Sequence, residues 1–546
     1  MFDWTNPYPT TRTPVFARNI VATSQPLAAQ AGLHMLRQGG TAVDAAIAAA
    51  AVVALTEPCS NGLGSDNFAI VWDGSRLLGM NSSGFSPAVW TLDYFRRKYG
   101  SDLDRNRPLR GWDSVSVPGA VAGWRVLHDR LGKLPFADLL APAIEYAESG
   151  YAVTAIVQEK WQRAVPLLKS FPTWSEHFLP RGRAPEIGER FVLAGAARTL
   201  RLIARTRGEA FYRGEIAAAI AAHAQSNGGA MSAADLADYW DFVLANGWVE
   251  PIAQDTWGHT LHELPPNGQG IAASICAGIL AHSPLAEIVA AGGIDSADAQ
   301  HLMIEAMKLA FADVYAHVAD PRSMRVTPAQ MLDSSYLRHR ARAIDMKRAQ
   351  AFSAGAPPRG GTIYLSAADA SGMMVSFIQS NYLGFGSGIV LPGYGISLQN
   401  RGCGFATDAG HPNAIGPRKR PFHTIIPAFL TQSGQPVMSF GVMGGNMQPQ
   451  GHMQTLARML LAGQQPQAAC DGPRWKFMDG LDLEVEATMP GAITDELQAR
   501  GHRITRADDS YMDFGAGQFI WRLGDPAVDG YVAASDARRD GHAAGF

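Results

Sequence analysis

Three observations predict a mixed α/β (α+β) protein in which helices cover sheet. Segments with helical apolar spacing are interleaved with β-prone segments, a Gly- and Pro-rich break precedes residue 362, and a β-prone hairpin follows it at once. At 546 residues the chain is longer than one hydrophobic core usually supports, so either one large layered domain or two closely packed lobes is expected.

In chain order, residues 25–38 place Ala28, Ala31, Leu33, Met35 and Leu36 at helical intervals, and Gly39-Gly40 closes the segment. A second helix is predicted from Thr41, with Asp44 in its first turn, through the alanine-rich stretch 45–55 to a stop near Pro58. That apolar stretch is far short of the ~20 residues needed to cross a bilayer, so it reads as a buried helix and no membrane span is expected. Residues 68–72, Asp73-Gly74 and residues 76–80 read as strand, tight turn and returning strand. Residues 121–150 and 298–317 have helical spacing and read as scaffold, the second with Leu302, Met303, Ala306, Leu309, Ala310 and Val314 as one broad face. Residues 347–361 shift to small residues, Pro and Gly and read as a loop. Residues 362–368, 369–372 and 373–380 then read as strand, turn and strand, so Thr362 opens a hairpin.

Composition narrows the function. Lys plus Arg (46) nearly balance Asp plus Glu (49), and a net charge of -3 leaves no basic stripe for a phosphate backbone, so nucleic acid is excluded as a partner. The first residues lack a charged segment followed by an apolar one, so no secretory signal is read and a cytoplasmic location is expected. Cys59, Cys276, Cys403 and Cys470 are scattered without metal-ligand spacing, which argues against a disulfide framework or a zinc site. No G-x-S-x-G, H-E-x-x-H, phosphate-loop or dinucleotide motif occurs, and no cofactor or metal is predicted.

Two short elements carry chemistry. Gly360-Gly361-Thr362 stands at the loop-to-strand junction. An internal threonine hydroxyl is a poor nucleophile, whereas an N-terminal threonine brings its own base, an α-amine with a pKa of roughly 7.7–8.0. Releasing that amine means breaking the Gly361–Thr362 bond, and the glycines permit the backbone strain this requires. Residues 440–446 form a strand-like stretch ending in Gly444-Gly445, whose bare N–H groups suit a developing oxyanion. Between the two, residues 379–388 place polar side chains at a strand end before a Gly-rich loop, a candidate pocket wall.

The order of these segments resembles the gamma-glutamyltransferase family of N-terminal-nucleophile hydrolases. The resemblance rests on "ATSQPLAAQAGLHMLRQGGTAVDAAIAAA", "VSVPGAVAGW", "LPFADLLAPAIEYAESGYAV", "LPPNGQG", "EAMKLAFAD", "GGTIYLSAAD", "GFGSGIV", "RPFHTIIPAF" and "DGPRW", spread over nearly the whole chain. It implies a four-layer αββα sandwich and autocatalytic cleavage into a large subunit, residues 1–361, and a small subunit, residues 362–546, that together form one folded unit. A mature large/small heterodimer follows, and a dimer of these is the further assembly considered. Thr362 falls on the family's nucleophile, Gly444 and Gly445 on its oxyanion glycines, and Ser380 on a hydroxyl residue that orients the nucleophile.

Departures from the family concern the substrate. Residues 81–87 hold no arginine where glutathione-cleaving members bind the substrate α-carboxylate, and residues 396–404 place Arg401 and glycines where those members carry an acid for the α-ammonium. His423-Thr424 replace paired serines, and the pocket asparagine aligns near Asn381-Tyr382. A zwitterionic γ-glutamyl group then has too few partners for its charges. Arg401, His423 and Lys419 suggest instead a site for an anion lacking an α-ammonium, as in the branch with oxamate amidohydrolases and cephalosporin acylases. Three readings stay open: γ-glutamyl transfer or hydrolysis to water or an amine acceptor, hydrolysis of a small acidic or side-chain amide, and an unprocessed, silent scaffold.

Overall fold

The computed structural model describes residues 12–352, 361–507 and 513–546. Two seven-stranded antiparallel sheets face each other, and helices cover the outer face of each. One sheet, here the nucleophile sheet, runs His542–Gly545, Ile20–Thr23, Gly361–Ala368, Met374–Tyr382, Asp66–Trp72, Leu77–Asn81, Trp248–Val249. The other, the glycine-pair sheet, runs Val15–Ala17, Tyr531–Ser535, Ala516–Arg522, Gln435–Met443, Ala428–Gln432, His259–Glu263, Ile252–Thr256. Strands from both sides of residue 362 are interleaved in each sheet, so the segments before and after it share one folded body.

The two-residue period of a strand decides which side chains meet. From the strand Gly361–Ala368, Ile363, Leu365 and Ala367 pack outward under the helices, while Tyr364 and Ala368 pack inward between the sheets. Because both faces are covered, these strands carry almost no alternation of polarity. Ser366 and Ser376 donate from this sheet to the carbonyls of Ser439 and Phe440 in the other, at 3.2 and 3.3 Å. Gly441 lets the sheets close: a Cβ there would lie 2.5 Å from the Tyr364 ring.

The alanine-rich segment is the helix Ala42–Thr56, buried along its whole length, with Thr41 and Asp44 forming a reciprocal capping box. Its methyl-sized side chains allow the helix Pro26–Arg37 to lie close beside it. The predicted strand pair around Asp73-Gly74 is present as Asp66–Trp72 and Leu77–Asn81. The 121–150 segment differs from expectation. It forms two helices, Ala120–Leu131 and Phe136–Ser149, because Gly132 closes the first and Pro135 holds the residue before it out of helical conformation. The helix Ala297–His317 is buried on nearly all sides, not along one face. Residues 353–360 of the predicted loop lie outside the described residues, and Gly361 is already the first residue of a strand.

Candidate active site

Thr362 sits at the head of a central strand of the nucleophile sheet, 2% exposed, opposite a bulge in Met374–Tyr382. Gly361 pairs with Tyr382 and Ile363 with Gln379, so Ser380 and Asn381 together oppose Thr362. The extra residue turns Ser380 towards the nucleophile. The Thr362 hydroxyl donates to Ser380 Oγ at 3.1 Å, and Ser380 Oγ donates to the Gly361 carbonyl at 2.8 Å. One serine therefore bridges the hydroxyl of Thr362 and the carbonyl preceding it. Tyr382 N–H (2.8 Å) and Arg401 Nη2 (3.1 Å) donate to the same Ser380 oxygen. Tyr382 is buried with φ of 75°, a left-handed conformation costly for a bulky residue, and strain of this kind collects at functional sites.

Gly444 and Gly445 end the strand Gln435–Met443 and lead into the helix Met447–Leu460. Their φ values of 126° and 58° are left-handed, and at Gly444 a Cβ would lie 2.9 Å from the Gly515 backbone. The turn thus brings bare backbone to the head of a helix, where N–H groups and the helix dipole favour negative charge. Gln269 Nε2 donates to the Gly445 carbonyl (2.9 Å) and to the Thr424 carbonyl (2.7 Å). Thr424 Oγ1 accepts from Arg401 Nη1 at 2.7 Å, which completes a chain of contacts from the glycine pair through Thr424 and Arg401 to Ser380 and Thr362.

Arg401 is fully buried, its guanidinium 4.3 Å from the centre of the Tyr382 ring. Its Nε has no hydrogen-bond partner among the described residues. Burial pushes Arg401 down to about 10, opposed chiefly by the negative charge of Asp66. Asp66 is also buried, and desolvation lifts it to about 7 although Arg401 and the N–H of Gly119 favour its charged form. His423 Nε2 lies 3.0 Å from Asp66 Oδ2, and burial with the nearby Arg401 and Arg420 holds the imidazole well below its usual range, hence neutral.

Apart from the glycine pair, the residues singled out in the sequence fall in four places. Thr362, Gly361, Ser380, Tyr382, Arg401 and Thr424 form one hydrogen-bonded and stacked group. His423 stands behind it, bonded to Asp66 and packed on Phe68. Asn381 points to the opposite face, where its Oδ1 accepts from Ser65 at 2.8 Å and its Nδ2 donates to Ser397 at 3.3 Å. Lys419 is away from the group and donates to the carbonyls of Pro412 and Ala414. Asp66 and Gln269 were missed: a lone acid opening a strand and a glutamine in a Pro-Gly segment carry no spacing signal, although Gln269 lies within the quoted "LPPNGQG".

Among the described residues, His301, Glu305 and His502 bring possible metal-ligating atoms within 4.8 Å of one another. Lys308 already occupies the cation's place, donating to Glu305 at 2.7 Å and facing His502 Nδ1 at 3.4 Å. His502 Nε2 meets His301 Nδ1 at 2.9 Å, and His301 Nε2 meets the Asp345 carbonyl at 2.9 Å. Every ring nitrogen has a partner, so the cluster is an internal ion-pair network.

A threonine heading a central strand of an αββα sandwich, with its hydroxyl and the preceding carbonyl joined through one serine, places the molecule among the self-processing N-terminal-nucleophile hydrolases. Residues 28–546 match the family model described as gamma-glutamyltranspeptidase, and the chain belongs to that family. It is 35% identical to the glutathione hydrolase-like YwrD proenzyme of Bacillus subtilis, across 90% of this chain and 92% of that one. It is also 35% identical to the oxamate amidohydrolase proenzyme of Klebsiella pneumoniae, across 95% and 97%. The crystal structure of a cephalosporin acylase from Bacillus halodurans superposes with a TM-score of 0.92 at 44% identity, covering 100% of this chain and 99% of that one. The chain is thus an enzyme of the amide-cleaving, two-subunit type.

Proposed function

We propose that the chain matures between Gly361 and Thr362, giving residues 1–361 and 362–546, and that the new N-terminal Thr362 cleaves amides carrying a small anionic acyl group. In maturation Thr362 Oγ adds to the Gly361 carbonyl carbon while its proton passes to Ser380 Oγ and the proton of Ser380 passes to the carbonyl oxygen, which becomes a hydroxyl, along the two hydrogen bonds already present. The C–N bond breaks as that hydroxyl's proton returns through Ser380 to the nitrogen, which frees the α-amine, and water hydrolyses the resulting ester to a Gly361 carboxylate and the Thr362 hydroxyl. In turnover that amine accepts the Thr362 hydroxyl proton as Oγ attacks the substrate carbonyl. The Gly444 and Gly445 N–H groups hold the oxyanion, the ammonium protonates the departing nitrogen, and water or an amine releases the acyl group.

The observation that carries the acyl preference is Arg401: a buried guanidinium with an unpartnered Nε, one serine away from the nucleophile. No acid lies in the turn Arg401–Gly404, and the nearby buried carboxylate, Asp66, is already engaged by Gly119 and His423. An anion gains from this environment, whereas the ammonium of a γ-glutamyl group meets a like charge. The names of the oxamate amidohydrolase and cephalosporin acylase relatives support the same reading. The four free, buried cysteines fit a cytoplasmic site of action. A substrate panel of a γ-glutamyl anilide, oxamate and a glutaryl amide tests the proposal. Faster turnover of oxamate or the glutaryl amide, by at least tenfold in kcat/KM, is expected. A preference for the γ-glutamyl anilide contradicts it.

A further inference from the structure

The turn that carries the glycine pair is shaped by what the following helix lacks. Asn446 stands at the N-cap of the helix Met447–Leu460, a position where an asparagine ordinarily accepts from the N–H of the second or third helical residue. Here the third residue is Pro449, which has no N–H, and the N–H of the second, Gln448, is taken by the Gly445 carbonyl at 3.3 Å. Asn446 makes no cap hydrogen bond, and its φ and ψ of -74° and -9° are already helical. Its side chain is released for another partner.

That partner is Tyr315, whose hydroxyl accepts from Asn446 Nδ2 at 2.6 Å. Tyr315 lies near the end of the helix Ala297–His317 and is fixed on several sides. Its ring stacks on Phe311 at 5.4 Å and packs on Phe422 at 5.8 Å, and its carbonyl meets His411 Nε2 at 2.8 Å. Desolvation holds its phenol well above the ordinary range, with Tyr382 of the nucleophile group adding to the effect, so it stays a neutral hydroxyl near neutral pH. The Asn446 carbonyl is held separately, accepting from Gln450 Nε2 at 3.0 Å, and Gln450 Oε1 accepts from the Phe477 N–H at 2.7 Å.

Gly444 and Gly445 have the backbone freedom that makes their turn possible, and they have no side chain to fix it. Oxyanion donors act only within about 2.7–3.1 Å of the developing charge. The place of the turn therefore depends on its anchors, Gln269 on the Gly445 carbonyl and Tyr315 on the side chain of the next residue. We infer that Tyr315 and Asn446 are positioning residues for amide cleavage, holding the glycine pair at the oxyanion through one side-chain hydrogen bond. The inference rests on the oxyanion role proposed above for Gly444 and Gly445. Self-cleavage does not share that dependence, because there the Gly361 carbonyl oxygen takes its proton from Ser380.

The two reactions therefore distinguish positioning from packing. Tyr315→Phe keeps both ring contacts and removes only the hydroxyl. It should mature at the wild-type rate on gels and melt within about 4 °C of the wild type. Its kcat on the best substrate of the panel should fall about 10- to 100-fold with KM nearly unchanged, the scale of a displacement of about 1 Å. Asn446→Ala should lose as much, and the double variant no more than the worse single, since both break the same bond. An unchanged kcat in Tyr315→Phe, losses that multiply in the double variant, or a fall in maturation rate and melting temperature that parallels kcat overturns the inference. Gly445→Ala keeps it apart from the reading beneath it. If that variant also turns over normally, the oxyanion assignment fails, whereas a slow Gly445→Ala beside a normal Tyr315→Phe sinks the positioning role alone.

Discussion

Two buried charged clusters in this molecule are built from similar parts and finished differently. Around Lys308, Glu305, His301 and His502, each charged or ring atom has a partner, and the cluster ties the helix Ala297–His317 to the backbone at Asp345 and Gln350. Around Thr362 the chemistry is left open: Arg401 Nε and Gln269 Oε1 are buried without partners among the described residues, and Tyr382 is strained. An unpaired buried polar atom costs about 1–3 kcal/mol, so a fold tolerates several together only where something else is gained. Saturation marks a cluster that holds the molecule together, and open valence marks one that awaits a substrate.

Breaking the saturated cluster should have the larger energetic effect. Glu305→Gln leaves the Lys308 ammonium buried without its counter-charge and is expected to lower unfolding stability by about 3–5 kcal/mol in denaturant titrations. The kcat of whatever matures should stay within about twofold, since nothing near Thr362 is touched. Ser380→Ala addresses the open cluster and should do the reverse. Loss of the bridge between the Thr362 hydroxyl and the Gly361 carbonyl is expected to slow self-cleavage at least 100-fold, followed by gel electrophoresis, the scale of a lost proton-transfer group. Its stability should fall by only about 1 kcal/mol.

The smallest effect concerns pH. Asp66 is lifted to about 7, so below that value it is neutral and leaves the Arg401 charge uncompensated, while above it the carboxylate competes with a bound anion. KM for an anionic acyl substrate should therefore rise several-fold from pH 6 to pH 8 and stay flat in Asp66→Asn. The α-amine of Thr362 instead governs kcat, so the two titrations separate. Folding carries the same sign: a carboxyl raised in the folded state binds its proton more tightly there, so stability falls as pH rises from the ordinary carboxylate range to about 7. Asp66→Asn removes that slope.

What was legible in the sequence follows from how local each signal is. The hairpin opened by Thr362, the capping of the helix Ala42–Thr56 and the Gly444-Gly445 turn depend on neighbouring residues and could be read directly. The face on which Asn381 lies depends on a bulge in its strand, which no residue type announces. Arg401 was singled out, but its stacking on Tyr382 and its field from Asp66 required partners far apart in the chain. A pocket beside Gly361 was invisible, because residues such as Arg110, Lys160 and Arg539 are ordinary surface-type residues until the fold brings distant segments together. The break at Gly132 and Pro135 was present in the sequence and was outweighed by the helical spacing on either side of it.

The central claim is that one bond, Gly361–Thr362, is cut by the protein itself to make its nucleophile. Intact-mass spectrometry with N-terminal sequencing of the purified 58.4 kDa chain and of Thr362→Ala tests it most directly. The account predicts two fragments from the wild type, one beginning at Thr362, and a single uncleaved, inactive chain from the variant. Cleavage of Thr362→Ala at the same bond, or a wild-type chain that stays intact while hydrolysing amides, would contradict it.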